Sequence, residues 1–206
     1  MSTTVLLIRH GQTAWNASGR WQGHQDVPLN EVGEQQARAL AARLQGWPIT
    51  AVYSSDLSRA HATAQVVGQA LNLTPQIDID WRERALGKLE GMTRSEVQLQ
   101  FPEIYVPQNF VDAPEGETFE TLRTRVLRAF KRVVSYHADE TTAVVTHGGT
   151  IRVLVSHILC LPDRFYAPFS LRGNTGITRI EVGANGLAQI TLLNDTSHLE
   201  QVSELV

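Results

Sequence analysis

The chain has 206 residues, of which 42% are hydrophobic and 19% charged, and it carries a formal net charge of -3. This composition excludes a disordered or fibrous chain, and the slight acidity excludes a general attraction to nucleic acid or anionic lipid, so basic residues that converge would mark a local anion site. Cys160 is the single cysteine, which excludes an internal disulfide and a thiolate-rich zinc site and fits a reducing cytoplasm. The first residues lack the pattern of a secretion signal, and no segment approaches the roughly 18 apolar residues of a membrane span. The expectation is one cytoplasmic domain over residues 1–206, with neither nucleic acid nor membrane as a partner.

In chain order, the apolar run at residues 5–8 predicts a short strand buried on both faces, ending at Arg9-His10-Gly11. From Asn30 a capped helix follows, with Glu31 and Glu34 in its first turn and Ala37, Leu40, Ala41 and Leu44 on one face. A strand at 51–54 leads to Ser55 as the expected N-cap of a helix with Ala60, Ala64, Val67 and Leu71 on one side, placing Arg59 near its first turn. A brief strand at 77–79 precedes a turn-rich loop carrying Glu83.

Residues 92–116 hold a short helical stretch at 94–100 and then Pro102, Pro107 and Pro114, which reads as a lid-like insertion over a pocket. Thr118 opens a long helix with Phe119, Leu122, Val126, Phe130 and Val133 on one side, and residues 142–146 form a further buried strand that ends at His147-Gly148-Gly149. A helix over about 150–159, stopped by Pro162, leads to two strands near 176–182 and 188–193, joined by Asn185-Gly186 as an antiparallel hairpin.

Alternation of strand and helix predicts a three-layer α/β/α fold around a mostly parallel sheet of about six strands. In such sheets ligands bind outside the carboxyl ends of the strands. Arg9 and His10, Arg59, and His147 with Gly148 each follow a different strand, so residues distant in sequence are expected at one edge. Two guanidinium groups and two imidazoles there suit a doubly charged tetrahedral anion, for which phosphate is the natural occupant. Their positive charge would keep an imidazole neutral and nucleophilic near neutral pH. Glu83 is the candidate proton donor, since a carboxyl beside a phosphate dianion holds its proton more readily.

These residues form a set: Arg9-His10-Gly11-Gln12-Thr13 with Trp15-Asn16, Ser54-Ser55-Asp56-Leu57-Ser58-Arg59-Ala60 with Thr63-Ala64, Arg82-Glu83, Gly87 with Glu90-Gly91, and Val145-Thr146-His147-Gly148-Gly149. From Val5 to about His198 the chain resembles the histidine phosphatase superfamily, also called phosphoglycerate mutase-like. The resemblance implies a phosphoryl group carried on His10, clamped by Arg9, Arg59 and His147, with Glu83 as acid and base and no metal or cofactor. It implies further contacts from Asn16 and the Gly148 amide, and substrate-side positions for Thr13, Gln22, Gly23, Glu117 and His198.

Phosphoglycerate mutases of the superfamily carry a longer insertion with an adjacent arginine pair, whereas residues 92–116 contain Arg94 as their one cation. That difference, with the tail at 194–199, favours the small phosphatase branch acting on a small phosphorylated metabolite: phosphoserine, a sugar phosphate, a glycerate phosphate or a nucleotide-loop phosphate. The rivals are a cofactor-dependent phosphoglycerate mutase and a catalytically silent phospholigand-binding module. Zinc hydrolysis lacks a ligand motif, and serine-hydrolase and Walker signatures are absent. His24, His61, His137 and His157 sit in no motif and read as structural or exposed. A homodimer built on an exposed sheet edge or helix is compatible with this reading.

Overall fold

The computed structural model describes residues 2–104, 113–161, 169–171 and 173–200. Pro107, Pro162 and part of the expected 92–116 insertion lie outside them. The described strands are β1 (Ser2–Arg9), β2 (Ile49–Ser54), β3 (Gln76–Ile77), β4 (Thr141–Thr146), β5 (Ile177–Gly183) and β6 (Ala188–Asp195). They form one sheet in the order β3-β2-β4-β1-β5-β6. The first four run parallel, while β5 and β6 are antiparallel to their neighbours.

Val5, Leu6, Leu7 and Ile8 of β1 are fully buried, as a central strand covered on both faces requires. Its side chains alternate between two cores. Val5 and Leu7 pack with Leu122, Val126, Ile151 and Leu154, from helices α5 (Phe119–Tyr136) and α6 (Gly148–Ile158). Leu6 and Ile8 pack with Leu40, Leu44, Ala60 and Val67, from α2 (Glu31–Leu44) and α3 (Ser58–Leu71). The expected three-layer α/β/α architecture and C-terminal hairpin are present.

Several local expectations need correction. Ser55 does not cap α3: its hydroxyl accepts from the Leu57 amide, and the helix begins at Ser58, whose amide donates to Asp26 Oδ1 at 2.7 Å. The strand expected at 77–79 stops at Ile77, because Asp78 Oδ1 accepts from the Asp80 amide and turns the chain into a 3-10 turn over Ile79–Trp81. The last long helix starts at Gly148 rather than near Thr150, with His147 at its N-cap position. A one-turn helix, α1 (Ala14–Ala17), closed by a Thr13/Asn16 capping box, was not expected. In the 92–116 stretch, α4 (Arg94–Gln100) appears as expected. Val97 and Ala113 there join Leu89 in a small separate core against Trp21.

Candidate active site

Sheet register brings the site together. Arg9 at the end of β1 lies opposite Thr146 at the end of β4, and Ser54 at the end of β2 lies opposite Val145. The next residues therefore leave the sheet side by side, with the His10 amide bonded to the Thr146 carbonyl at 2.9 Å. As a result the His10 and His147 rings sit 5.1 Å apart between centroids, edge to face. Arg59 enters from the first turn of α3 and is fully buried.

His10 Nδ1 lies 2.7 Å from the Gly11 carbonyl. A carbonyl only accepts, so Nδ1 carries the proton and Nε2 keeps its lone pair. Burial, followed by the fields of Arg59 and Arg9, holds the His10 pKa well below 6.5. Burial and Arg59 do the same for His147. Both rings are thus neutral at ordinary pH, as a nucleophilic imidazole requires.

The clamp is cationic and poorly supplied with protein acceptors. Burial lowers the pKa of Arg9 and Arg59, but a guanidinium starts so high that it stays charged. Among the described residues, nothing accepts from the buried Nε of Arg9 or of Arg59, and neither ring nitrogen of His147 has a protein partner. Backbone carbonyls orient the two groups: Arg9 Nη1 donates to Gly173 at 3.1 Å, and Arg59 Nη2 and Nη1 donate to Gly23 and Gln25, each at 2.8 Å. Carbonyls orient these groups without neutralising them, so the charge remains available to an anion.

Glu83 faces the clamp. Its Oε2 accepts from the Gly149 amide at 2.9 Å and its Oε1 from the Arg84 amide at 2.8 Å. Gly149 belongs to the first turn of α6, where unpaired amides favour negative charge. A Cβ at position 149 would lie 2.2 Å from Glu83 Oε1, so only glycine admits the carboxylate there. Gly148 opens the same helix, and its closest approach, 3.6 Å from an added Cβ, is to Arg9 Nε.

The structure thus gathers Arg9, His10, Arg59, Glu83, His147 and Gly148 at one sheet edge. Asn16 is adjacent, since its Oδ1 accepts from Asn174, which also bonds the His10 carbonyl. Other expected positions serve differently. Thr13 is fully buried, bonding Gln22 Oε1 and accepting from the Asn16 amide, so both it and Gln22 shape the loop from within. Gly23 acts through its carbonyl on Arg59; its φ of 53° and the nearby Glu90 carboxylate exclude a side chain. Glu117 spends both carboxylate oxygens on Arg125 at 2.7 Å. His198 bonds the Thr175 hydroxyl.

Three residues to which the sequence assigned no role hold this assembly. Arg125 donates to the carbonyls of Asp80, Arg82 and Glu83. His24, read from sequence as structural or exposed, donates from Nε2 to the Glu83 carbonyl at 2.8 Å. Thr63 accepts from the Gly11 amide and donates to the Arg59 carbonyl, tying the nucleophile loop to the clamp. Of these, only Thr63 lay within a motif, and no local signal marks Arg125 or His24.

Residues 5–196 match the family described as the histidine phosphatase superfamily (branch 1). Phosphoglycerate mutase-like protein 4 of Arabidopsis thaliana is 37% identical over 208 residues, covering 98% of this chain and 89% of its own. The metal-independent phosphoserine phosphatase of the same plant is 40% identical over 164 residues, covering 76% and 68%. Among solved structures, Bacillus stearothermophilus YhfR superposes with a TM-score of 0.86 at 34% identity, covering 96% of this chain and 100% of its own. No described helix is long and apolar enough to cross a membrane. With family match, relatives and fold in agreement, the chain belongs to the histidine phosphatase superfamily, branch 1.

Proposed function

We propose that this protein is a cytoplasmic phosphatase that hydrolyses small phosphomonoesters through a phosphohistidine on His10, with Glu83 as general acid and base. The enzyme class, a metal-independent histidine-type phosphomonoester hydrolase, is supported by the family and by the phosphoserine phosphatase relative. The observation that carries the mechanism is the fixed tautomer of His10, with Nε2 unprotonated beside the fully buried guanidinium of Arg59 and the partly buried one of Arg9. In the first step the Nε2 lone pair forms an N–P bond as the P–O bond to the leaving group breaks, and Glu83 gives that oxygen a proton. In the second, water attacks phosphorus, Glu83 takes its proton, and the N–P electrons return to Nε2. Arg9, Arg59, His147 and the Gly148 amide bear the charge on the equatorial oxygens throughout.

The test is phosphate release from 4-nitrophenyl phosphate with EDTA present, together with detection of phosphoenzyme after a denaturing quench at alkaline pH, followed by acid treatment of the adduct. Wild type should turn over and form an acid-labile adduct, and His10→Ala should do neither. Loss of turnover on chelation, or an adduct surviving in His10→Ala, would defeat the proposal. Supplying 3-phosphoglycerate separates the mutase alternative, which requires 2-phosphoglycerate to appear faster than free phosphate.

A further inference from the structure

We infer that the turn at residues 173–176 is the positioning element of the nucleophile, with Asn174 and Thr175 holding the Arg9-His10 backbone and His198 holding Thr175. This rests on the phosphatase reading of the site. Four consecutive residues of the turn grip two residues of β1's end. The Gly173 carbonyl accepts from the Arg9 guanidinium at 3.1 Å. Asn174 Nδ2 donates to the His10 carbonyl at 2.9 Å. The Thr175 amide donates to the Arg9 carbonyl at 2.9 Å, and the Gly176 carbonyl accepts from the Arg9 amide at 3.3 Å.

Thr175 adopts φ 57° and is fully buried. A β-branched residue in the left-handed region is a strained outlier, and such strain persists only where its surroundings over-determine it. Glycine would fit this backbone more easily but has no hydroxyl. That hydroxyl donates to the Asn174 carbonyl at 2.7 Å. Its one hydrogen being used, it accepts from His198 Nε2 at 3.0 Å. The left-handed step aims two successive donors, the Asn174 amide group and the Thr175 N–H, at two successive carbonyls. Asn174 Nδ2 also reaches Asn16 Oδ1 at 3.2 Å, so the turn sets the nucleophile and a neighbouring pocket amide together. His198, bonded through Nε2 to Thr175, therefore acts as a positioning residue.

The experiment compares wild type, Asn174→Ala, His198→Ala and His198→Gln. It measures hydrolysis of 4-nitrophenyl phosphate, inhibition by orthovanadate and by inorganic phosphate, and the thermal midpoint. Vanadate accepts an imidazole as apical ligand and so reads the placement of His10 Nε2, whereas phosphate reads the clamp alone. Misplacing a nucleophile by an ångström costs about 10²-fold. Asn174→Ala should lose about that factor in kcat/KM and in vanadate affinity, with phosphate inhibition within about threefold of wild type. His198→Ala should show a smaller loss of the same pattern, and His198→Gln, whose amide can donate to Thr175, should recover it.

If Asn174→Ala does not fold, Thr175→Gly serves instead, since it keeps the backbone N–H and accommodates the φ while removing the hydroxyl; it should reproduce the His198→Ala pattern. An active wild type matched by Asn174→Ala, or parallel loss of vanadate and phosphate binding, overturns the inference alone. A wild type that neither turns over nor binds vanadate overturns the phosphatase reading and this inference with it.

Discussion

Replacing Arg125 by Met should separate the stability of the fold from the placement of Glu83, the proposed general acid. The Arg125 and Glu117 side chains are only 12% and 11% exposed, and the guanidinium makes two bonds to that carboxylate and three to the carbonyls of Asp80, Arg82 and Glu83. Removing it leaves a buried carboxylate without its countercharge, which costs about 3–5 kcal/mol. For a domain of this size each kcal/mol shifts the midpoint by about 2–4 °C. Calorimetry or circular dichroism should therefore record a fall of roughly 6–20 °C.

The double variant Arg125→Met with Glu117→Met removes both charges and should regain at least about 2 kcal/mol of that loss. Activity should not return fully with stability, because the carbonyl of Glu83 still lacks its arginine and keeps only His24 as a described side-chain partner. Kinetics on an alkyl phosphate, measured below both midpoints, check this. A single variant melting within about 2 °C of wild type, or a double variant no more stable than the single, would refute the argument.

Two further predictions follow from the same geometry. Gly149→Ala should displace Glu83 and slow hydrolysis of an alkyl phosphate by about 10²-fold, with a smaller effect on 4-nitrophenyl phosphate, whose leaving group needs little proton assistance. Gly148→Ala meets only Arg9 at ordinary contact distance and should be much milder, so equal losses in the two variants would contradict the assignment. The imidazoles of His10 and His147, with pKa held well below 6.5, should remain neutral at pH 6.5 by nitrogen-15 NMR. Since the unfolded chain binds protons there and the native rings do not, these residues stabilise the fold fully above pH 6.5. Their contribution is lost as pH falls from 6.5 toward the native values. Half-protonation of either ring at or above pH 6.5 would contradict it.

Arg59, fully buried, and Arg9, partly buried, supply fixed positive charge at the sheet edge. Phosphoryl transfer asks mainly for positioning and charge stabilisation, and carbonyl-oriented guanidinium groups provide both.

What the sequence determined by itself was local or periodic. Continuous apolar runs in β1 and β4 declared buried strands, helical spacing of apolar residues declared α2, α3 and α5, and residues following strands declared one shared edge. Arg9, His10, Arg59, Glu83 and His147 were legible because each stands at a strand end or in a motif whose chemistry is specific to its residue type. What only the tertiary structure decided were partnerships between residues far apart in the chain. Asp26 caps α3 from 32 positions away, Arg125 holds the Glu83 loop from another helix, and the 173–176 turn grips His10 across 164 positions. Folding also gave Glu117 its Arg125 partner and His198 its Thr175 partner. Local propensity carries no information about which donor will meet which acceptor once the layers pack. That pairing is fixed by sheet register and helix docking, which come into being only when the whole chain folds.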